Sequence, residues 1–135
     1  MSGGLSLEHY QIYDDEVYLI RSIQKRIHQS CVDAGWYTDL ETGEAKKRNF
    51  GEVCMLMVTE LAEAYEGYRK GEMDSHLPHR KAMEVEFADT IIRILDTAGA
   101  EGFDIAGALQ EKFLYNQTRS DHKLENRKKP GGKKT

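Results

Sequence analysis

Apolar positions recur along this chain at helical spacing. Val53, Met57, Leu61, Ala64 and Tyr68 form one stripe, and Met83, Phe87, Ile91, Ile94 and Ala98 form another. Upstream, Tyr13, Val17, Ile20, Ile23, Ile27 and Cys31 advance by steps of three and four, predicting a first helical run over about Leu7 to Ala34. Asp14 and Asp15 are placed to cap a break near its start, and Gly35 suits its stop. Downstream, Ile105, Leu109, Phe113 and Leu114 predict a shorter helix that Asp104 can cap and that runs to about Asn116. The second helix opens near Asn49, whose spacing to Glu52 resembles a capping box, and ends at Lys70 before Gly71. The third spans about Arg80 to Ala98, with Gly99 to Gly102 as stop and turn. Pro78 forbids helix just before it. The expectation is an all-α domain of about four helices.

Two acidic tetrads interrupt this pattern, Glu60-Leu-Ala-Glu63 and Glu86-Phe-Ala-Asp89. Residues three apart share one side of a helix, so each tetrad directs two carboxylates the same way. Both lie on or beside the apolar stripes, where acids are seldom found unless paired or coordinating a metal. If the two helices pack antiparallel, four carboxylates converge. Their repulsion is relieved either by raised pKa values or by a divalent cation. Hard oxygen donors with no Cys or His nearby favour Mg²⁺ or Mn²⁺. Glu66 extends the ridge from Glu63. A lone E-x-x-E is a common solvated pattern; two copies on consecutive amphipathic helices say more.

Composition narrows the setting. At 135 residues, with 39% hydrophobic and 31% charged residues, the chain suits one helical domain. Residues 118–135 hold seven Lys/Arg against two Asp/Glu, so they carry +5 of a net charge of −4 and leave −9 elsewhere. So acidic a body argues against a nucleic-acid surface. The tail has almost no apolar residues and reads as a flexible basic arm, giving a helical domain over 1–117 and a tail over 118–135. Residues 1–6 are Gly- and Ser-rich and read as frayed. No apolar run approaches a membrane span and no signal peptide is evident, so the expected location is cytoplasmic. Cys31 and Cys54 read as buried reduced thiols.

Other residues invite a role beside an ordinary reading. Asn49 is first of all a helix cap. Trp36, just after a helix, either plugs the bundle end or stacks on a base, a contact of roughly 1–3 kcal/mol in nucleic-acid complexes. Arg93 is one turn from Asp89 and can steer a carboxylate or meet a phosphate. Lys112 and Asn116 are neighbours at i,i+4. Gln24 and His28 read as polar-face residues of the first helix, and His76 and His79 as solvated loop residues.

The E-x-x-E, helix, loop, E-x-x-D arrangement, with twenty-two residues between Glu63 and Glu86, resembles the MazG-like all-α nucleoside triphosphate pyrophosphohydrolases. The likeness runs from about Ile20 to Lys123. It includes the ELAEA run at Glu60 to Ala64, FADTIIRILD at Phe87 to Asp96, and Lys112-Phe-Leu-Tyr-Asn116. It implies a four-helix bundle whose helices pack across an interface in a homodimer or homotetramer. It implies Mg²⁺-dependent hydrolysis of a (deoxy)nucleoside triphosphate to the monophosphate and pyrophosphate, in the service of nucleotide-pool housecleaning. The implied metal ligands are Glu60, Glu63, Glu86 and Asp89, with Glu63 also orienting or deprotonating the water. Lys112 would stabilise the departing pyrophosphate. Asn49, Arg93, Asn116 and Trp36 join Lys112 as substrate contacts, and the first helix walls the nucleoside pocket. Arg93 stands near a position that is aromatic in many members, which puts the base pocket in doubt. Two alternatives are a pyrophosphohydrolase for a nucleotide-like metabolite such as phosphoribosyl-ATP, and a non-catalytic helical interaction module.

Overall fold

A computed structural model describes residues 9–135. They form four principal helices: α1 (Asp14–Asp33), α2 (Phe50–Lys70), α3 (Ala82–Glu101) and α4 (Ile105–Thr118). A 3-10 turn (Ser120–His122) and a short α5 (Leu124–Arg127) follow. No strand occurs among the described residues, so the all-α expectation holds at that level. The readings for residues 1–6, and for a helix beginning at Leu7, fall on positions outside the described residues. Residues 9–13 are not helical, so the helix opens where the Asp14–Asp15 pair predicts a break.

The described residues divide into two compact units. One runs from Ile23 to Phe103; the other joins the segment ending at Ser22 to Asp104–Thr135. In the first unit α2 and α3 pack antiparallel. Gly67, near the end of α2, faces Ala82 at the start of α3, and a Cβ at position 67 would lie 2.7 Å from that of Ala82. Only glycine lets the two backbones come so close. The buried seam on α2 is Val53, Glu60, Ala64 and Gly67, and on α3 it is Ala82, Thr90 and Thr97. Small side chains and an acid therefore fill the contact.

This differs from the expected core. Leu61, Tyr68, Phe87 and Ile91 belong to the predicted apolar stripes, yet all four are exposed on this chain. Successive helical residues are about 100° apart. A seam through Glu60 therefore turns the stripe through Leu61 and Tyr68 away from α3.

Helix ends follow side-chain chemistry. Asn49 Oδ1 accepts from the Glu52 N–H at 3.0 Å, the expected cap. Gly71, at φ 66°, closes α2 while the Glu72 N–H donates to the Gly67 carbonyl at 3.0 Å. Of the stop and turn expected over Gly99 to Gly102, Gly102 is the residue that ends α3, which continues through Gly99 to Glu101. Gly99 instead makes room for His28 of α1, since a Cβ there would meet the His28 Cβ and Cγ at 2.6 Å. Between α1 and α2, Asp39 Oδ1 accepts from the N–H groups of Glu41 and Thr42, both at 2.9 Å. Gly43, at φ 75°, completes this turn.

In the second unit Asp104 caps α4 by accepting from the Gly107 N–H at 3.1 Å. It also pairs with Arg21 at 3.1 and 2.8 Å, which holds its carboxyl below the ordinary range. Gln117 exchanges hydrogen bonds with the Tyr10 backbone, accepting at 2.6 Å and donating at 2.7 Å. The basic tail, expected to lack structure, folds locally on its own charges. Arg119 grips Asp121 at 3.0 and 2.8 Å, and Arg127 donates to the carbonyls of Lys133 and Lys134 at 3.0 and 3.1 Å. No helix among the described residues is long and apolar enough to cross a membrane.

Candidate metal centre and adjoining cavity

Glu60, Glu63 and Glu86 meet across the α2–α3 seam. Each offers a carboxylate oxygen, and these oxygens all lie within 4.8 Å of one another. Glu60 is buried, Glu86 half-buried and Glu63 exposed, so the cluster grades from the seam to solvent. On α2 the i,i+3 spacing puts Glu60 and Glu63 on one side, and antiparallel packing brings Glu86 opposite them.

Such a cluster needs a positive charge or a proton. Arg93 supplies part of it: its Nε donates to Glu60 Oε1 at 2.9 Å. Burial acts to raise Glu60, but hydrogen bonds from Glu86 and Arg93 outweigh it and hold Glu60 below its usual value. Glu86 takes the opposite course. A hydrogen bond shared with Glu60, then burial, then the charge of Glu63, push it up to about 8. At neutral pH the metal-free cluster therefore retains a proton on Glu86. Its Oε2 is nonetheless buried with no hydrogen-bond partner. A buried carboxylate oxygen left unsatisfied beside two further carboxylates is the donor set a hard divalent cation would use.

Asp89 is not drawn into this trio. Burial, and then the charge of Glu60, raise its pKa. It instead lines a cavity of ≈ 510 Å³ together with Glu60, Arg93, Trp36, Arg48 and Asp96. This gathers three of the sequence candidates, Asp89, Arg93 and Trp36, beside the innermost glutamate. Trp36 is largely exposed, and the Arg48 guanidinium lies 5.5 Å from its ring centroid. The indole face is thus turned toward a cation, and Trp36 is not a plug. A smaller pocket of ≈ 240 Å³ holds Glu63 and Glu86 with Glu66, Glu72 and Asp74, which places Glu66 on the ridge as expected.

The remaining candidates lie elsewhere. Asn49 is exposed and its Oδ1 is committed to the helix cap. Lys112 and Asn116 belong to the other unit. There the Lys112 ammonium sits 4.9 Å from the Tyr115 ring centroid, and Asn116 Oδ1 is buried without a partner.

One constellation escaped the sequence reading. Asp96 is only 5% exposed, and its Oδ1 lies 2.9 Å from His28 Nδ1. Burial, followed by a hydrogen bond to the same Asp96, pushes the Tyr37 hydroxyl up to about 12. Burial and the charge of Asp96 likewise raise the Cys31 thiol, which is free and held in its unreactive form. The signal in the sequence was an acid at 96 directly after the apolar residues Ile91, Ile92, Ile94 and Leu95. No family model, curated protein or solved structure matches the chain.

Proposed function

We propose that the acid trio is a Mg²⁺ centre and that the chain hydrolyses a (deoxy)nucleoside triphosphate to the monophosphate and pyrophosphate. The observation that carries this reading is the convergence of Glu60, Glu63 and Glu86 within 4.8 Å, with an unsatisfied Glu86 oxygen, beside a cavity large enough for a nucleotide. The resemblance of the two tetrads to the MazG-like enzymes supplies the reaction.

A triphosphate brings about four negative charges, which bare carboxylates would repel. When bound, Mg²⁺ would neutralise phosphate charge and acidify the attacking water. The protein's own groups divide the remaining work. Glu60 and Glu86 would hold the cation, with Arg93 fixing Glu60. Glu63, the most exposed of the three, is the acid that can orient a water and accept its proton. Water attacks the α-phosphorus, the bond from that phosphorus to the bridging oxygen breaks, and pyrophosphate leaves. Trp36 offers a stacking face in the cavity, and Asp89 supports the centre from the cavity side. The roles of Lys112, Asn116 and Asn49 rest on the resemblance alone.

A homodimer or homotetramer belongs to the same proposal. Tyr65, Tyr68, Phe87 and Ile91 are each more than half exposed on the two helices that bear the acids. Apolar area of that kind marks an interaction surface. A cytoplasmic role in clearing unwanted nucleotides fits this chemistry.

The test is pyrophosphate release from a panel of ordinary and modified (deoxy)nucleoside triphosphates, with phosphoribosyl-ATP as a further substrate. Glu63→Gln should lower the Mg²⁺-dependent rate by about 10²-fold or more. Turnover at the unaltered rate would show the centre to be misplaced. If no substrate turns over and Mg²⁺ leaves the melting temperature unchanged, the chain is an interaction module.

A further inference from the structure

A second cavity, of ≈ 540 Å³, opens between α1, the loop after Trp36 and the last turns of α3. It contains none of the four acids assigned to the metal centre. Its rim carries Lys46, Lys47 and Arg48, consecutive in sequence, while Glu101 is the one acid that lines it. Lys47 comes within 4.0 Å of Glu101 at the mouth. In a body whose charge is strongly negative, a concave surface with three cations and one acid is a local reversal. The walls between these charges are apolar, formed by Val32, Val53 and Ala100.

His28 also lines the cavity. Its Nδ1 faces the buried Asp96, and a carboxylate only accepts, so the ring proton sits on Nδ1. Nε2 is then the ring atom left for a ligand. The ring is held in place by the space above Gly99 and by edge-on packing with Tyr37, centroid to centroid 5.1 Å. Asp96, Tyr37 and Gly99 thus hold one imidazole at a cavity that the acid trio does not use. Arg48 also lines the cavity that contains Glu60 and Asp89, so the two cavities share a cation.

From the rim cations, apolar walls and positioned imidazole, we infer that this cavity is a second ligand site, for a small phosphate monoester with an apolar body. Three cations around one opening suit a dianion better than a single carboxylate charge. The apolar walls favour an organic ester over the free ion. The site is independent of bound metal.

Phenyl phosphate is the probe, titrated into the full chain in excess EDTA so that no divalent cation contributes. Binding is read by calorimetry and by the proton resonances of the His28 ring. Phenyl phosphate should saturate and shift the His28 signals, while inorganic phosphate and benzoate should each bind about tenfold more weakly. Lys46→Glu and Ala100→Glu, both at exposed positions, should each weaken phenyl phosphate about tenfold. Glu63→Gln should leave it unchanged, which separates this site from the metal centre. The assignment is overturned if phenyl phosphate does not bind or leaves His28 unshifted. It is equally overturned if both rim variants bind as the parent does, if Glu63→Gln alone abolishes binding, or if inorganic phosphate or benzoate binds as well as the ester.

Discussion

The proton on Glu86 and a divalent cation compete for the same oxygens. The folded-state value of about 8 stands above the ordinary 4.5. Between these pH values the folded chain binds a proton that the unfolded chain has released. The metal-free protein should therefore lose stability as pH rises from about 4.5 to about 8, and the loss should be complete above that window. Melting temperatures in EDTA at about pH 5 and about pH 9 measure the fall. Glu86→Gln, which carries the hydrogen without titrating, should flatten it. Mg²⁺ added at neutral pH should release about one proton per centre, seen as acidification of a weakly buffered solution. The Glu60, Glu63 and Glu86 meeting was legible from spacing alone, because i,i+3 positions and one antiparallel contact leave little freedom. Asp89 was not, since the same spacing does not say which way the seam rotates.

Individual helices show where sequence patterning reaches and where it stops. Asn49, Gly71 and Asp104 were legible as end signals because each acts on backbone groups within a few residues. Gly99 was misread because its reason for being glycine is a histidine on another helix. The same distance in sequence hid the Asp96–His28–Tyr37 group. A prediction follows for α3. Gly99→Val keeps a helical backbone but collides with His28, and should destabilise by about 1–3 kcal/mol. It should also move the His28 ring resonances, whereas Ala100→Val, one position away and exposed, should leave the stability close to the parent's. Denaturant unfolding and the His28 spectrum check both.

At the level of the whole molecule, the exposed apolar stripe is the main departure from a helical wheel. Hydrophobic periodicity marks Leu61, Tyr68, Phe87 and Ile91 as one-sided, but it cannot say whether this chain or another copy covers them. Here α2 and α3 contact each other through Ala64, Gly67, Ala82 and the acids, which leaves the bulky face outside. In solution the 15.4 kDa chain should scatter light as a dimer or tetramer. Phe87→Glu should shift it toward monomer while helical circular dichroism persists. A parent that is monomeric at high concentration would remove the oligomer from the proposal. Along the basic tail the side-chain bonds of Arg119 and Arg127 stay within the segment, so what holds it is local pairing and not apolar burial.

The touch between Gly67 and Ala82 works as the fulcrum of a pair of tongs. The carboxylates are the jaws, with Glu60 seven residues from the fulcrum, or about 10 Å along the helix. One methyl group at position 67 would prise the arms apart. The jaws then suit a wider ion: if the centre takes Mg²⁺ as proposed, at about 2.0–2.1 Å from its oxygens, Gly67→Ala should shift its preference toward Ca²⁺, at about 2.3–2.6 Å. Comparing the melting temperature raised by each ion in parent and variant would reveal the change of calibre.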